Sequence, residues 1–180
     1  LAGSGLHMQP LTPDFWMDHL DRLYPLVDAV FGQNFAYTPV SFDAFRTACG
    51  APFARRLCPH TSRVVLDAAG DVAGFFLGFP DYAPLLRQGN PDRLRLADIR
   101  YDVHFARLER PTFLAKTLGV HPRYRQRGLL GAMATEAVRC SLSRYHDGMI
   151  CLMKSDNVST RFGLPFADRV RTYGLFAKDL

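Results

Sequence analysis

Seven consecutive residues, Arg125-Gln126-Arg127-Gly128-Leu129-Leu130-Gly131, place two guanidinium groups and two glycines where an apolar stretch passes into a helical pattern. A helix that starts there leaves the N–H groups of its first turn without intrahelical acceptors. Its dipole is positive at that end, and glycine lets a ligand approach the backbone closely. Such a point suits an anion rich in oxygen, a phosphate or a pyrophosphate.

The elements that must hold this loop are legible on both sides. Residues 113–120 are apolar and β-prone, and Pro122 stops them. After the loop, Leu130, Met133, Ala134, Ala137, Val138 and Leu142 recur at spacings of three and four, the period of one buried helical face. The motif therefore reads as strand, tight basic loop, amphipathic helix.

Upstream, residues 13–31 carry a helical pattern with Thr12-Pro13-Asp14 as its start signal, and Pro25 predicts a kink or break. A second helix is expected over residues 41–53, with Ser41 as its cap. Residues 63–67 and 72–79 flank Ala68-Ala69-Gly70-Asp71 and predict a hairpin. Two readings compete for the next segment. Alternation of Ile99, Tyr101, Val103 and Phe105 with Arg100, Asp102 and His104 predicts a strand with one polar face; a helix over residues 92–108 is the alternative. Downstream, residues 148–153 predict a short buried strand, and residues 169–177 alternate as a closing strand.

Composition narrows the class. A chain of 180 residues suits one domain, and 48% hydrophobic with 22% charged residues is ordinary for a soluble globular protein. No apolar run approaches the ~18–20 residues of a membrane span. Cys49, Cys58, Cys140 and Cys151 lack any metal-ligand or CxxC spacing, so reduced thiols, no metal and a cytoplasmic location are expected. Net charge is +5, and all but three of the 22 basic residues are arginine, which favours anionic ligands. Residues 1–7 precede Met8 and read as a cloning remnant outside the fold.

The central residues resemble the acetyl-CoA-binding motif of the GNAT N-acyltransferase superfamily, a strand ending in Val-x-Pro followed by Arg/Gln-x-x-Gly-x-Gly/Ala at a helix start. Val120, Pro122, Arg125 and Gly128 match in place. Leu130 stands where the second small residue is usual, and Gly131 follows it. The order helix, helix, hairpin, strand, loop, helix is also that of the family. The resemblance implies a single domain over residues 8–180 with an α/β (α+β) GNAT fold, a mixed central sheet flanked by helices. It implies an N-acetyltransferase moving an acetyl group from acetyl-CoA to a primary amine of an unidentified acceptor, small molecule or protein. A homodimer is the commonest assembly in general.

Site residues follow from the same resemblance. The N–H groups of Gln126, Arg127, Gly128, Leu129, Leu130 and Gly131 would cradle the pyrophosphate, with charge from Arg125 and Arg127. The strand edge at Leu118, Gly119 and Val120 would hydrogen-bond the pantetheine arm as an added strand would. Asn157 matches the family's asparagine on that arm, with Ser159 near its usual small residue. The tyrosine expected about seven positions later is absent, since Leu164-Pro165 stands there. Tyr173 is the candidate replacement acid. In the strand reading Asp102 and His104 share a face, with Glu109 close behind, and His104 titrates in the range a base needs. Two other readings stay open: a CoA-binding module without catalysis, and a nucleic-acid-binding protein that uses the arginines of residues 123–127.

Replacing Gly128 with Val tests the loop. Calorimetry should show CoA binding weakened about tenfold or more, roughly 1.4 kcal/mol. A folded variant that binds CoA as the parent does would remove the phosphate-loop assignment.

Overall fold

The computed structural model describes residues 4–32, 37–87, 92–150 and 163–174. Its sheet grows from the expected hairpin. Strands β2 (Arg63–Leu66) and β3 (Val72–Pro80) pair antiparallel across a turn in which the Asp67 carboxylate accepts the N–H groups of Ala69 and Asp71, each at 2.9 Å. Strand β1 (His7–Pro10) adds to the outer edge of β2, and β4 (Thr112–Val120) lies antiparallel on β3. Strand β5 (Asp147–Ile150) then joins β4 in parallel, completing the order β1-β2-β3-β4-β5. A parallel neighbour needs a crossover, which helix α7 (Leu129–Ser141) supplies. Every residue of β3 is buried, as its unbroken apolar run requires.

Two apolar layers cover the sheet. On one face sit α1 (Pro13–Asp18), α2 (Leu20–Phe31), α3 (Phe42–Cys49) and α4 (Ala51–Ala54), with Trp16, Leu23 and Phe45 packed on Phe75, Leu77 and Phe79. Side-chain caps start two of these helices: Thr12 Oγ1 accepts from Phe15 N–H at 3.1 Å, and Ser41 Oγ from Ala44 N–H at 3.2 Å. Trp16 Nε1 donates to the Cys49 carbonyl at 2.7 Å, satisfying an acceptor at the end of α3. On the other face α7 packs on Val65, Phe76 and Phe113. The buried Arg63 guanidinium joins α7 to β2, donating to Ser62 O at 2.7 Å and lying 3.5 Å from Glu136. Arg139, first, and then Arg63 among its other neighbours hold the Glu136 carboxyl down at about 2.

Several expectations change. The first helix breaks at His19 rather than at Pro25, because the His19 backbone leaves the helical region (φ −119°, ψ 18°) while its ring stacks on Phe15. Pro25 sits inside α2, which forgoes one backbone bond there. The expected second helix likewise divides at Gly50 into α3 and α4. The buried stripe of α7 is Leu129, Met133, Ala137 and Ser141, so Val138 and Leu142 are exposed. Met133 reaches the sheet at Gly74, where a Cβ would lie 2.9 Å from Gly119 O, a backbone clash that glycine avoids, and 3.2 Å from the flexible Met133 Cε. Of the residues before Met8, Leu6 is buried and His7 pairs with Leu66, so these two pack with the domain.

The polar strand expected near residue 100 does not form. Its place is taken by a 3-10 turn (Leu96–Asp98), the single helical turn α6 (Tyr101–His104) and a second 3-10 turn (Phe105–Arg107), after a helical turn α5 (Ala83–Leu86). Ile99, Leu108, Tyr82 and Leu85 bury together, an anchoring that alternation along one segment does not encode. The closing strand is also missing from the described part of its range: residues 169–174 pair with no strand and are exposed. Alternation alone supplies no partner for a ladder. A 3-10 turn (Leu164–Phe166) precedes them. No helix among the described residues is long and apolar enough to cross a membrane.

Met133 and Val138 separate the two versions of the α7 face. Met133→Ala should cost about 2–5 kcal/mol in denaturant unfolding, whereas the exposed Val138→Ala should stay within about 0.5 kcal/mol. Equal losses would contradict the observed phase.

Candidate functional site

Among the described residues, strand β4 has a full-length partner on only one side. Against β3 it pairs from Phe113 to Val120, with a shift between Leu77 and Gly78 that leaves Lys116 unmatched. This is a bulge, one extra residue that frees a backbone unit from the ladder and increases local twist. Against β5 the register runs only from Thr112↔Asp147 to Ala115↔Ile150. Beyond Ala115, Lys116, Thr117, Leu118, Gly119 and Val120 have no strand on that side among the described residues. The bulge lies at the residue after the last described β4–β5 pair.

The loop continues directly from that open edge. His121 N–H donates to Ala73 O at 2.9 Å, extending the β3 ladder by one residue. A 3-10 turn (Pro122–Tyr124) follows, capped by His121 Nδ1, which accepts from Arg123 N–H at 3.2 Å. Two left-handed residues then turn the chain into α7: Gln126 at φ 66° and Gly128 at φ 72°. For Gln126 that conformation costs about 1 kcal/mol or more, so the surrounding loop must hold it. Gly128 adopts it freely, and a Cβ there would touch nothing within 4 Å, so the position is conformationally constrained but open.

Among the described residues, the backbone N–H groups of Gln126, Arg127, Gly128, Leu129, Leu130 and Gly131 have no hydrogen-bond partner; the first helical bond is Ala132 N–H to Gly128 O at 3.0 Å. Six consecutive donors thus stand free at the positive end of a helix of 13 residues. Arg125, Arg127 and Gly128 are exposed beside them, and Leu129 anchors the turn in the core. These groups fit the phosphate-binding role expected of them: donors, positive charge and an open backbone converge on one point.

Tyr124 fixes the loop, a residue the sequence reading passes over. Its ring is buried, and its hydroxyl donates to Asp67 Oδ2 at 2.5 Å, joining the loop to the β2–β3 turn. That bond, more than the two turn N–H groups, holds the Asp67 carboxyl below the usual carboxylate range and pushes the Tyr124 phenol up. The bond's contribution is therefore complete above the ordinary carboxylate pKa and is lost as pH falls through the lowered one. Arg123 and Arg127 each lie over the Tyr124 ring, 5.7 and 5.6 Å from its centroid, so one aromatic face places two of the loop's cations. The only sequence signal was Asp67 opening a Gly-containing turn. Lys116 had one as well, as the only charge in an otherwise uncharged strand.

The proton-transfer candidates are not brought to this edge. His104 is buried in the α6 turn, where its Nδ1 lies 3.0 Å from both the N–H and the carbonyl oxygen of Arg100. Asp102 faces solvent, paired with Arg100 at 2.5 Å, which holds its carboxyl below the usual range. The strand that would have aligned these two side chains is absent. Tyr173 is exposed and has no hydrogen bond among the described residues. Asn157 and Ser159 lie outside the described residues.

No protein-family model and no curated protein matches the sequence. Solved structures do match in shape. An aminoglycoside acetyltransferase from an uncultured soil metagenomic sample aligns with a TM-score of 0.57 at 13% identity, covering 100% of this chain and 99% of the other. A ribosomal-protein-alanine N-acetyltransferase from Brucella melitensis biovar Abortus 2308 aligns with a TM-score of 0.56 at 10% identity, covering 97% and 99%. An aminoglycoside N-acetyltransferase solved in complex with CoA gives 0.56 at 15%, covering 99% of both chains. At these identities the likeness establishes the fold. It is the GNAT acetyltransferase fold, over the whole chain.

Loss of the Tyr124 hydroxyl should loosen the loop without unfolding the domain. Tyr124→Phe is expected to speed tryptic cleavage after Arg123, Arg125 and Arg127 severalfold while far-ultraviolet circular dichroism stays as in the parent. Unchanged cleavage would mean that Asp67 does not hold the loop.

Proposed function

We propose that this protein is an N-acetyltransferase that moves an acetyl group from acetyl-CoA to a primary amine by direct attack on the thioester. The observation that carries the reading is the run of six unpartnered N–H groups at residues 126–131, continuous with the open edge of β4. The fold supports it, since structures of the same shape include acetyltransferases, one of them holding CoA. Three free cysteines among the described residues agree with a reducing, cytoplasmic setting.

Acetyl-CoA supplies the activated acyl group. The chain's part is to hold it, to stabilise the oxyanion and to admit the amine. The N–H groups of residues 126–131, with Arg125 and Arg127, bind the pyrophosphate. The edge from Lys116 to Val120 takes the pantetheine amides, with Asn157 and Ser159 completing the set on that arm. The Lys116 bulge, freed from the β3 ladder, offers a backbone donor to the thioester carbonyl. The amine nitrogen attacks the carbonyl carbon, the C–S bond breaks, the nitrogen gives up a proton, and the thiolate gains one.

One observation favours a second reading, a CoA-binding module without turnover. Among the described residues Lys116 is the one titratable side chain of β4, and His104 and Asp102 belong to the separate α6 turn. The two readings part on one experiment: calorimetry with CoA beside thiol release from acetyl-CoA over a panel of amines. Saturable CoA binding with amine-dependent thiol release is expected. Binding without release on any amine would favour the module, and absence of binding would end both.

A further inference from the structure

On the helical face of the sheet, the bulge residue stands in a cationic, aromatic setting. The Lys116 ammonium lies 5.6 Å from the centroid of the Phe79 ring. Phe79 meets Phe53 edge-on at 5.4 Å, and the Arg56 guanidinium lies 5.6 Å from the Phe53 centroid. Two cations thus share one pair of touching rings beside the bulge of β4.

We infer that the amine acceptor also carries an acid group, a carboxylate or a phosphate, which Lys116 and Arg56 hold while Phe53 and Phe79 pack its carbon skeleton. This rests on the acetyl-transfer reading and names the substrate class of that same site.

Neither cation is neutralised by a described residue. Among the described residues no ion pair includes Lys116 or Arg56, and Arg56 Nε donates to a neutral acceptor, Pro52 O, at 3.0 Å. The half-buried Cys49 thiol senses the same imbalance. Burial pushes its pKa up, and Lys116 and Arg56 are the charged groups acting on it, both pulling it down. Burial also lowers the Arg56 pKa, and the groups opposing that are Tyr82 and Cys49, with no carboxylate. Three acids on neighbouring elements have other partners: Asp43 pairs with Arg46, Asp28 accepts from the Tyr37 hydroxyl, and Asp81 accepts from Ala83 N–H.

An aminoglycoside would bring several ammonium groups against these two cations, whereas an acid-bearing amine supplies their missing counter-charge. The same field acts on the nucleophile. A like charge nearby disfavours the ammonium form, so Lys116 would shift the bound acceptor toward the free amine that attacks. This lessens the demand on a general base at an edge where His104 and Asp102 are not placed.

The test uses the full chain with acetyl-CoA and matched acceptors: L-phenylalanine against L-phenylalaninamide, phosphoethanolamine against ethanolamine, and kanamycin as the polycation. Thiol release should give kcat/KM at least about tenfold higher for at least one acid member than for its neutral partner. That ratio should fall toward one in Lys116→Met and in Arg56→Met, and Lys116→Arg should restore it. Kanamycin or the neutral amines used as well as the acids would overturn the inference and leave acetyl transfer standing. So would an acid preference that both methionine variants keep, or no turnover of any member by protein that binds CoA. Failure to bind CoA at all would instead sink the underlying reading.

Discussion

A backbone N–H or C=O buried without a partner costs about 1–3 kcal/mol, and among the described residues β4 carries its second half with a strand on one side only. Strand β5 accompanies β4 as far as Ala115↔Ile150, and from Lys116 onward the edge is open among the described residues. At the far end of that edge the first turn of α7 adds donors that no helix can satisfy internally. Open strand edge and open helix end are contiguous in the chain. A ligand with amides along its length and a pyrophosphate at its end could satisfy both, which is why the geometry points to CoA more specifically than the glycines do.

Much of the remaining structure serves to keep that arrangement rigid. The β2–β3 turn gathers around the Asp67 carboxylate, and the same carboxylate takes the Tyr124 hydroxyl. A side chain in one hairpin therefore fixes a loop more than fifty residues later. Met133 reaches the sheet at Gly74, and Arg63 holds Glu136 from beneath the helix. These contacts set the angle at which α7 leaves the loop, and with it the direction of the free N–H groups. The left-handed Gln126 fits this picture, since such strain persists only where neighbours impose it.

On the proposed reading two faces of the same bulge divide the chemistry. Its backbone side would serve the donor, whose carbonyl needs a hydrogen-bond donor. Its side-chain face, where Lys116 and Arg56 stand over Phe79 and Phe53, would serve the acceptor. No recognisable acid–base pair joins them among the described residues. A field that favours the neutral amine suits such an edge, since amine attack asks mainly for orientation and a deprotonated nitrogen.

The sequence by itself determined the local pieces. The apolar run of β4, its end at Pro122, the two glycines of the loop and the hairpin around Gly70 depend on neighbours a few residues apart, so turn chemistry and periodicity reveal them. From these the loop and the family's fold were both legible. What the tertiary structure decided were the matters set by contacts distant in sequence. His104 and Asp102 alternated like a strand, but no edge received them, and the segment wound into turns around Ile99. Val138 and Leu142 fitted the helical period, yet the stripe through Met133 is the one that faces the sheet. Residues 169–174 alternated without a partner strand. Lys116 was readable as a lone charge, but its meaning depends on the bulge it occupies and on which rings lie beneath it. Periodicity specifies which faces a segment can present; only packing against another segment decides which one it uses.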